Sequence, residues 1–98
     1  MTQEDLMTGN WAYHKNSKYP IKVGINDFKF SFDWAKPIEL TEENIVELLG
    51  FEYNGDCYFK GIFDVFFNHK ELYYKRFELP KIPKHVHKLQ QLIKSLEE

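Results

Sequence analysis

At 98 residues the chain has the length of one domain with a modest core, and 17% aromatic residues, nine of them Phe, exclude a disordered polymer. A formal net charge of −2 supplies no global field toward nucleic acid or anionic lipid. The single cysteine, Cys57, excludes an internal disulfide and a cysteine-based zinc cluster.

No apolar run approaches the ~18 residues of a membrane helix, and Met1–Asn10 is polar and acidic rather than leader-like, so a cytoplasmic protein is expected. Met1–Met7 reads as a loose or partly helical lead-in. Gly9-Asn10 opens a strand, Trp11–His14, which the polar turn Lys15–Lys18 interrupts. Tyr19–Ile25 resumes as a strand with Ile21, Val23 and Ile25 on one face, and Asn26-Asp27 supplies the next turn. Phe28–Trp34 alternates aromatic and polar residues without a break. That pattern predicts a strand with one buried face, Trp34 being the most exposed of its four aromatics.

Pro37 then leads to the most legible stretch. Thr41 is placed to cap a helix over about 42–49, with Glu42 and Glu43 in its first turn where the dipole favours negative charge. Asn44 leaves the reciprocal capping box incomplete, and Leu40 with Ile45 form a hydrophobic staple. Gly50 suits the left-handed residue that ends a helix, with Phe51 folding back toward Val46. Asn54-Gly55 predicts a two-residue hairpin loop that pairs Tyr53 with Asp56 and Phe51 with Tyr58.

Ile62–Phe67 is apolar on both faces, so the strand is expected to be central, or covered by a second subunit through Phe63, Val65 and Phe67. Asn68–Lys70 turns into a strand over Glu71–Phe77. Pro80 and Pro83 bracket a linker, and Val86, Leu89, Ile93 and Leu96 form the stripe of a final helix over about 84–96. The expected fold is a single α+β domain over 1–98: an antiparallel sheet of about six or seven short strands, one inserted helix and one C-terminal helix.

Three separated pieces carry a family resemblance. Leu6–Tyr13 is similar to an "iGNyV" opening. Pro37–Glu43 followed by Leu48–Phe51 is similar to a "PIpLTeewLlklGF" element, and His85–Leu92 to a "vHqLQNLyfaL" helix. In this order they resemble small uncharacterised proteins carried by phages, prophages and mobile elements of Bacteroidota. Gln91 departs from the usual Asn, and the chain stops at Glu98 without the "ALTG" ending. The resemblance implies a setting, inside a bacterial host cell, rather than a reaction.

Chemistry is sparse. Lys81, Lys84, His85, His87 and Lys88 gather at the start of the last helix while Glu97 and Glu98 sit at its end, both against the dipole. Such an N-terminus suits a phosphate or other anion, although the same charges also read as an ordinary solvated helix end. His85 and His87, two apart, would point to opposite sides of a helix and make no metal pair. One of them is expected to be buried with its ring nitrogens hydrogen-bonded. Cys57 reads as a small buried residue. No nucleophile elbow, dinucleotide fingerprint or phosphate loop is present, so neither an enzyme nor a cofactor is expected.

The sequence therefore points to a non-enzymatic accessory protein that binds a nucleotide-like ligand or a host protein, possible roles in countering host defence included. Lys84, His85, His87, Lys88 and Trp34 are its candidate ligand-binding residues. The alternatives are a nucleic-acid-binding protein, against which the near-neutral charge argues, and an assembly protein acting as an oligomer such as a homodimer.

Overall fold

The computed structural model describes residues 1, 4–16, 19–79 and 81–97; Ser17 and Lys18 of the expected first turn, Pro80 of the linker and Glu98 lie outside them. The fold is α+β, and the described residues form eight strands in two antiparallel sheets, one short helix and one C-terminal helix. One expected sheet is thus two. Two compact units contain them: Met1–Glu39 with Lys84–Glu98, and Leu40–Pro83.

The first unit holds β1 (Trp11–His14), β2 (Pro20–Lys22) and β3 (Ala35–Lys36) in the order β2-β1-β3. Ala12, opposite Ile21, points into a cluster with Leu6, Val23, Phe32 and Ala35, against which Met1, Phe28 and Trp34 pack. The alternating stretch Phe28–Trp34 is not a strand. Asp27 turns back to accept the Gly24 amide at 2.7 Å, and Ile25–Lys29 winds into a 3-10 turn. A second tight turn, closed by the Ala35 amide on the Phe32 carbonyl, precedes β3. Of the four aromatics Phe32 is buried, Phe28 and Trp34 are half-buried, and Phe30, not Trp34, stands out at 69% exposed. Local side-chain-to-backbone bonding has here overridden a period-two pattern.

The final helix, α2 (Val86–Glu97), starts at the first residue of its apolar stripe, two residues later than the expected start at about 84. His85 is held in a β-bridge to Glu39, and the Val86 amide donates to the Ile38 carbonyl at 2.8 Å. Val86 and Leu89 are fully buried. On the next turn, the Gln90 side chain behaves as a spare peptide group: its Oε1 accepts the Trp11 amide and its Nε2 donates to the Gly9 carbonyl, each at 2.9 Å. Gln91 donates to the Asp5 carbonyl at 2.7 Å and to Asn10 Oδ1 at 2.9 Å, and that same oxygen accepts the Met7 amide. Asn10 is buried and satisfied in this way. The glutamines of the C-terminal motif thus tie down the Gly9-Asn10-Trp11 motif.

The second unit opens with α1 (Glu42–Glu47), capped by Thr41, whose Oγ1 accepts the Asn44 amide at 3.1 Å. Leu40 and Ile45 are both buried, as a staple requires. Gly50, at φ +74°, ends the helix, its amide on the Val46 carbonyl and that of Phe51 on Ile45. Phe51 turns into the core, whereas Val46 is 42% exposed, so the two do not close over each other. Lys60 completes the stop by donating from Nζ to the Leu49 carbonyl at 2.7 Å.

A five-stranded meander follows: β4 (Glu52–Tyr53), β5 (Tyr58–Lys60), β6 (Phe63–Phe66), β7 (Glu71–Tyr74) and β8 (Phe77–Leu79), neighbours in that order. Tyr53 pairs with Tyr58 rather than Asp56, so the first hairpin has a four-residue loop. The reason is Asn54, which lacks a positive φ and uses Oδ1 to accept the Asp56 and Cys57 amides, both at 2.9 Å. The expected single strand Glu71–Phe77 is a hairpin, with Tyr74 opposite Phe77 and Lys75-Arg76 as its two-residue turn.

Candidate functional site

Of the residues singled out for binding, Lys84, His85, His87 and Lys88 meet at the start of α2, and Trp34 does not join them by any ring contact. Trp34 stacks on His14 at 6.0 Å between centroids and leans on Phe32 at the same distance. It belongs to the packing of the first sheet.

The start of α2 is built from the bridge outward. Because His85 is extended rather than helical, its ring stacks on that of His87, 5.8 Å away and inclined by 19°. The two rings therefore lie together and not on opposite sides. The His85 carbonyl accepts the Leu89 amide, and the Val86 amide is spent on Ile38. The His87 and Lys88 amides meet no acceptor among the described residues. Lys84 and Lys88 are exposed beside them.

His87 is the anomaly of the site. It is 3% exposed, yet its Nδ1 is buried without a hydrogen-bond partner, contrary to the expectation that the buried histidine would be satisfied. Burial, then the charges of Lys88 and His85, hold the ring at about 4, below the ordinary 6.5, so it is neutral at pH 7. The result is a small positive field from two lysines and two backbone amides beside the uncharged ring of His87.

The residues expected to form an oligomer contact divide. Phe63 and Val65 are buried by the chain itself, on the side of the meander that also buries Leu72, and Phe67 is half-buried with its ring edge-on to Tyr58 at 5.5 Å. The first two are core residues of the meander. Cys57 is buried in the hairpin loop, and burial followed by the charge of Asp64 pushes its thiol up, away from nucleophilic reactivity. Among the described residues no group of His, Cys, Asp or Glu is arranged to hold a metal ion, and no helix is long and apolar enough to cross a membrane.

Sequence reasoning passed over the opposite face of the meander. A cavity of about 310 Å³ opens there, lined by Asp64, Phe66, His69, Glu71, Tyr73 and Arg76. Phe66 and Tyr73 stand edge to face, 5.6 Å apart at 79°, and the Tyr73 hydroxyl donates a short bond to Glu71 that pushes its own pKa up to about 12. The one signal in the sequence was an aspartate in the middle of an apolar strand. No protein-family model matches the chain, and neither a curated protein nor a solved structure shows detectable similarity to it.

Proposed function

We propose that this chain is a non-enzymatic binding protein, in the phage or mobile-element setting its motifs imply, and that it takes a phosphate-bearing, nucleotide-like small molecule at the start of α2. The observation that carries this reading is the pair of amides, His87 and Lys88, that meet no acceptor among the described residues at the positive end of a helix beside Lys84 and Lys88. A phosphate there gains charge-assisted bonds from groups the fold leaves without partners. The neutral, buried ring of His87 then has a role as a reporter: a bound dianion nearby favours its protonated form.

Titration calorimetry with adenosine and guanosine mono- and diphosphates, and with inorganic phosphate, tests the reading. Binding is expected to weaken at least tenfold in the Lys84→Ala/Lys88→Ala double variant. The His87 titration seen by NMR is expected to move upward in the complex. Affinity that ignores both lysines, or no saturable binding of any of these anions, overturns it.

A further inference from the structure

The exposed face of the meander has a regular charge pattern. Its cross-strand register places Glu52 opposite Phe59, Phe59 opposite Asp64, Asp64 opposite Tyr73 and Tyr73 opposite Glu78. One row across all five strands therefore reads acid, aromatic, acid, aromatic, acid. With strands about 4.8 Å apart, its carboxylates recur every ~9.6 Å.

The middle of the row is the cavity just described. Asp64 and Phe66 of β6 face Tyr73 and Glu71 of β7, so the two carboxylates occupy one diagonal of a square and the two rings the other. Diagonal carboxylates of this kind lie about 7–8 Å apart, and the Phe66 and Tyr73 rings, 5.6 Å apart, touch between them, so the square offers one cationic head a seat over the ring pair with a carboxylate on either side. Aspartate is a poor strand residue, and Asp64 is half-buried with no hydrogen-bond or ion-pair partner among the described residues. Nothing in its own packing accounts for it.

We propose that this row is a docking site for an extended basic segment of a partner protein, with the ammonium or guanidinium of one Lys or Arg seated between Asp64 and Glu71. The charge complementarity extends beyond the cavity to Glu52 and Glu78, which favours a chain bearing several cations over a single small amine. The spacing selects the conformation: in a polyproline-type segment every third residue recurs at about 9.3 Å, matching the carboxylate repeat. The site is independent of the start of α2.

The test uses the full chain and two fluorescent peptides of identical composition. One has lysine at every third position, Lys-Pro-Ser three times over, and the other has its three lysines contiguous. The spaced peptide is expected to bind saturably, at least fivefold more tightly than the contiguous one, and to weaken at least fivefold with Asp64→Asn. The Asn variant is expected to keep its thermal midpoint, since the carboxylate has no hydrogen-bond or ion-pair partner to lose among the described residues. Phe66→Leu, which removes a ring and keeps the charge, is expected to weaken binding several-fold. Equal binding of the two peptides, or binding indifferent to Asp64→Asn, overturns the proposal, as does no saturable binding. Displacement by putrescine at concentrations equal to the peptide would assign the cavity to free amines and overturn the docking of a chain.

Discussion

A buried imidazole whose Nδ1 has no partner is costly to the folded state, and His87 reveals that cost as acid sensitivity. Its folded pKa, about 4, lies below the ordinary 6.5, so protonation favours the unfolded chain. The contribution to stability is complete above pH 6.5, is lost as pH falls toward 4, and changes no further below that. About 2–3 kcal/mol is at stake in that window. Thermal melts from pH 7 to pH 4 are expected to show this loss in the parent chain, and His87→Leu is expected to lack it while being no less stable at pH 7. A second residue-scale cost sits in the β7–β8 turn, where Lys75 and Arg76 have φ of +51° and +68°. Side chains with a Cβ pay roughly 1–2 kcal/mol each for that conformation, which Asn-Gly adopts readily. Replacing Lys75-Arg76 by Asn-Gly is therefore expected to raise the urea midpoint without changing the slope, a gain on the order of 1–2 kcal/mol. An unchanged or lowered midpoint would show that the Lys75 side chain, 5.4 Å over the Tyr74 ring, compensates for the strain.

Elements are held at their ends. For α1 the cap is Thr41 and the stop is Gly50 with Lys60, a cation on the carbonyl end where the dipole favours it. Thr41→Ala is expected to cost about 1 kcal/mol in denaturant unfolding. At α2 the first residue follows directly on the bridge between Glu39 and His85, and the helix in turn anchors β1 through Gln90. Gln90→Ala leaves a donor and an acceptor of the Gly9–Trp11 backbone without partners, a loss of about 1–3 kcal/mol. Hydrogen exchange is expected to report it first at the Trp11 amide. Much of this was legible in the sequence where one residue does one local job: cap, staple, left-handed stop, apolar stripe. It failed where a side chain bonds its own backbone. Asp27 turned an alternating stretch into a 3-10 turn, and Asn54 lengthened a hairpin loop, because short polar side chains compete with the ladder for backbone donors. Lys75-Arg76 carried no turn signal at all, and a hairpin was read as one strand. The basic cluster of α2 was visible as composition, but the stacking of His85 on His87 depends on a bridge to Glu39, and the acid–aromatic row depends on register across five strands. Neither is encoded in any local window.

At the scale of the whole molecule, the first unit draws on both chain ends while the second is the uninterrupted stretch between them. Removing residues 84–98 takes away every partner that Gln90, Gln91 and Val86 supply to residues 5–11 and 38, with sequence separations of 79 to 86 across the glutamine bonds. Truncation after Pro83 is expected to abolish the slow-exchanging amides of β1, leaving the meander amides as the best protected of those that remain. Equal protection of β1 in both proteins would refute the anchoring role of α2. The same arrangement has a consequence on the ribosome. At about 5–20 residues per second the N-terminal strands emerge several seconds before the glutamines that complete them exist. The nascent chain therefore carries Gly9 and Trp11 without their glutamine partner until residue 90 has been made, while the meander between them already has all its strands. In this way α2 completes strands made well before it.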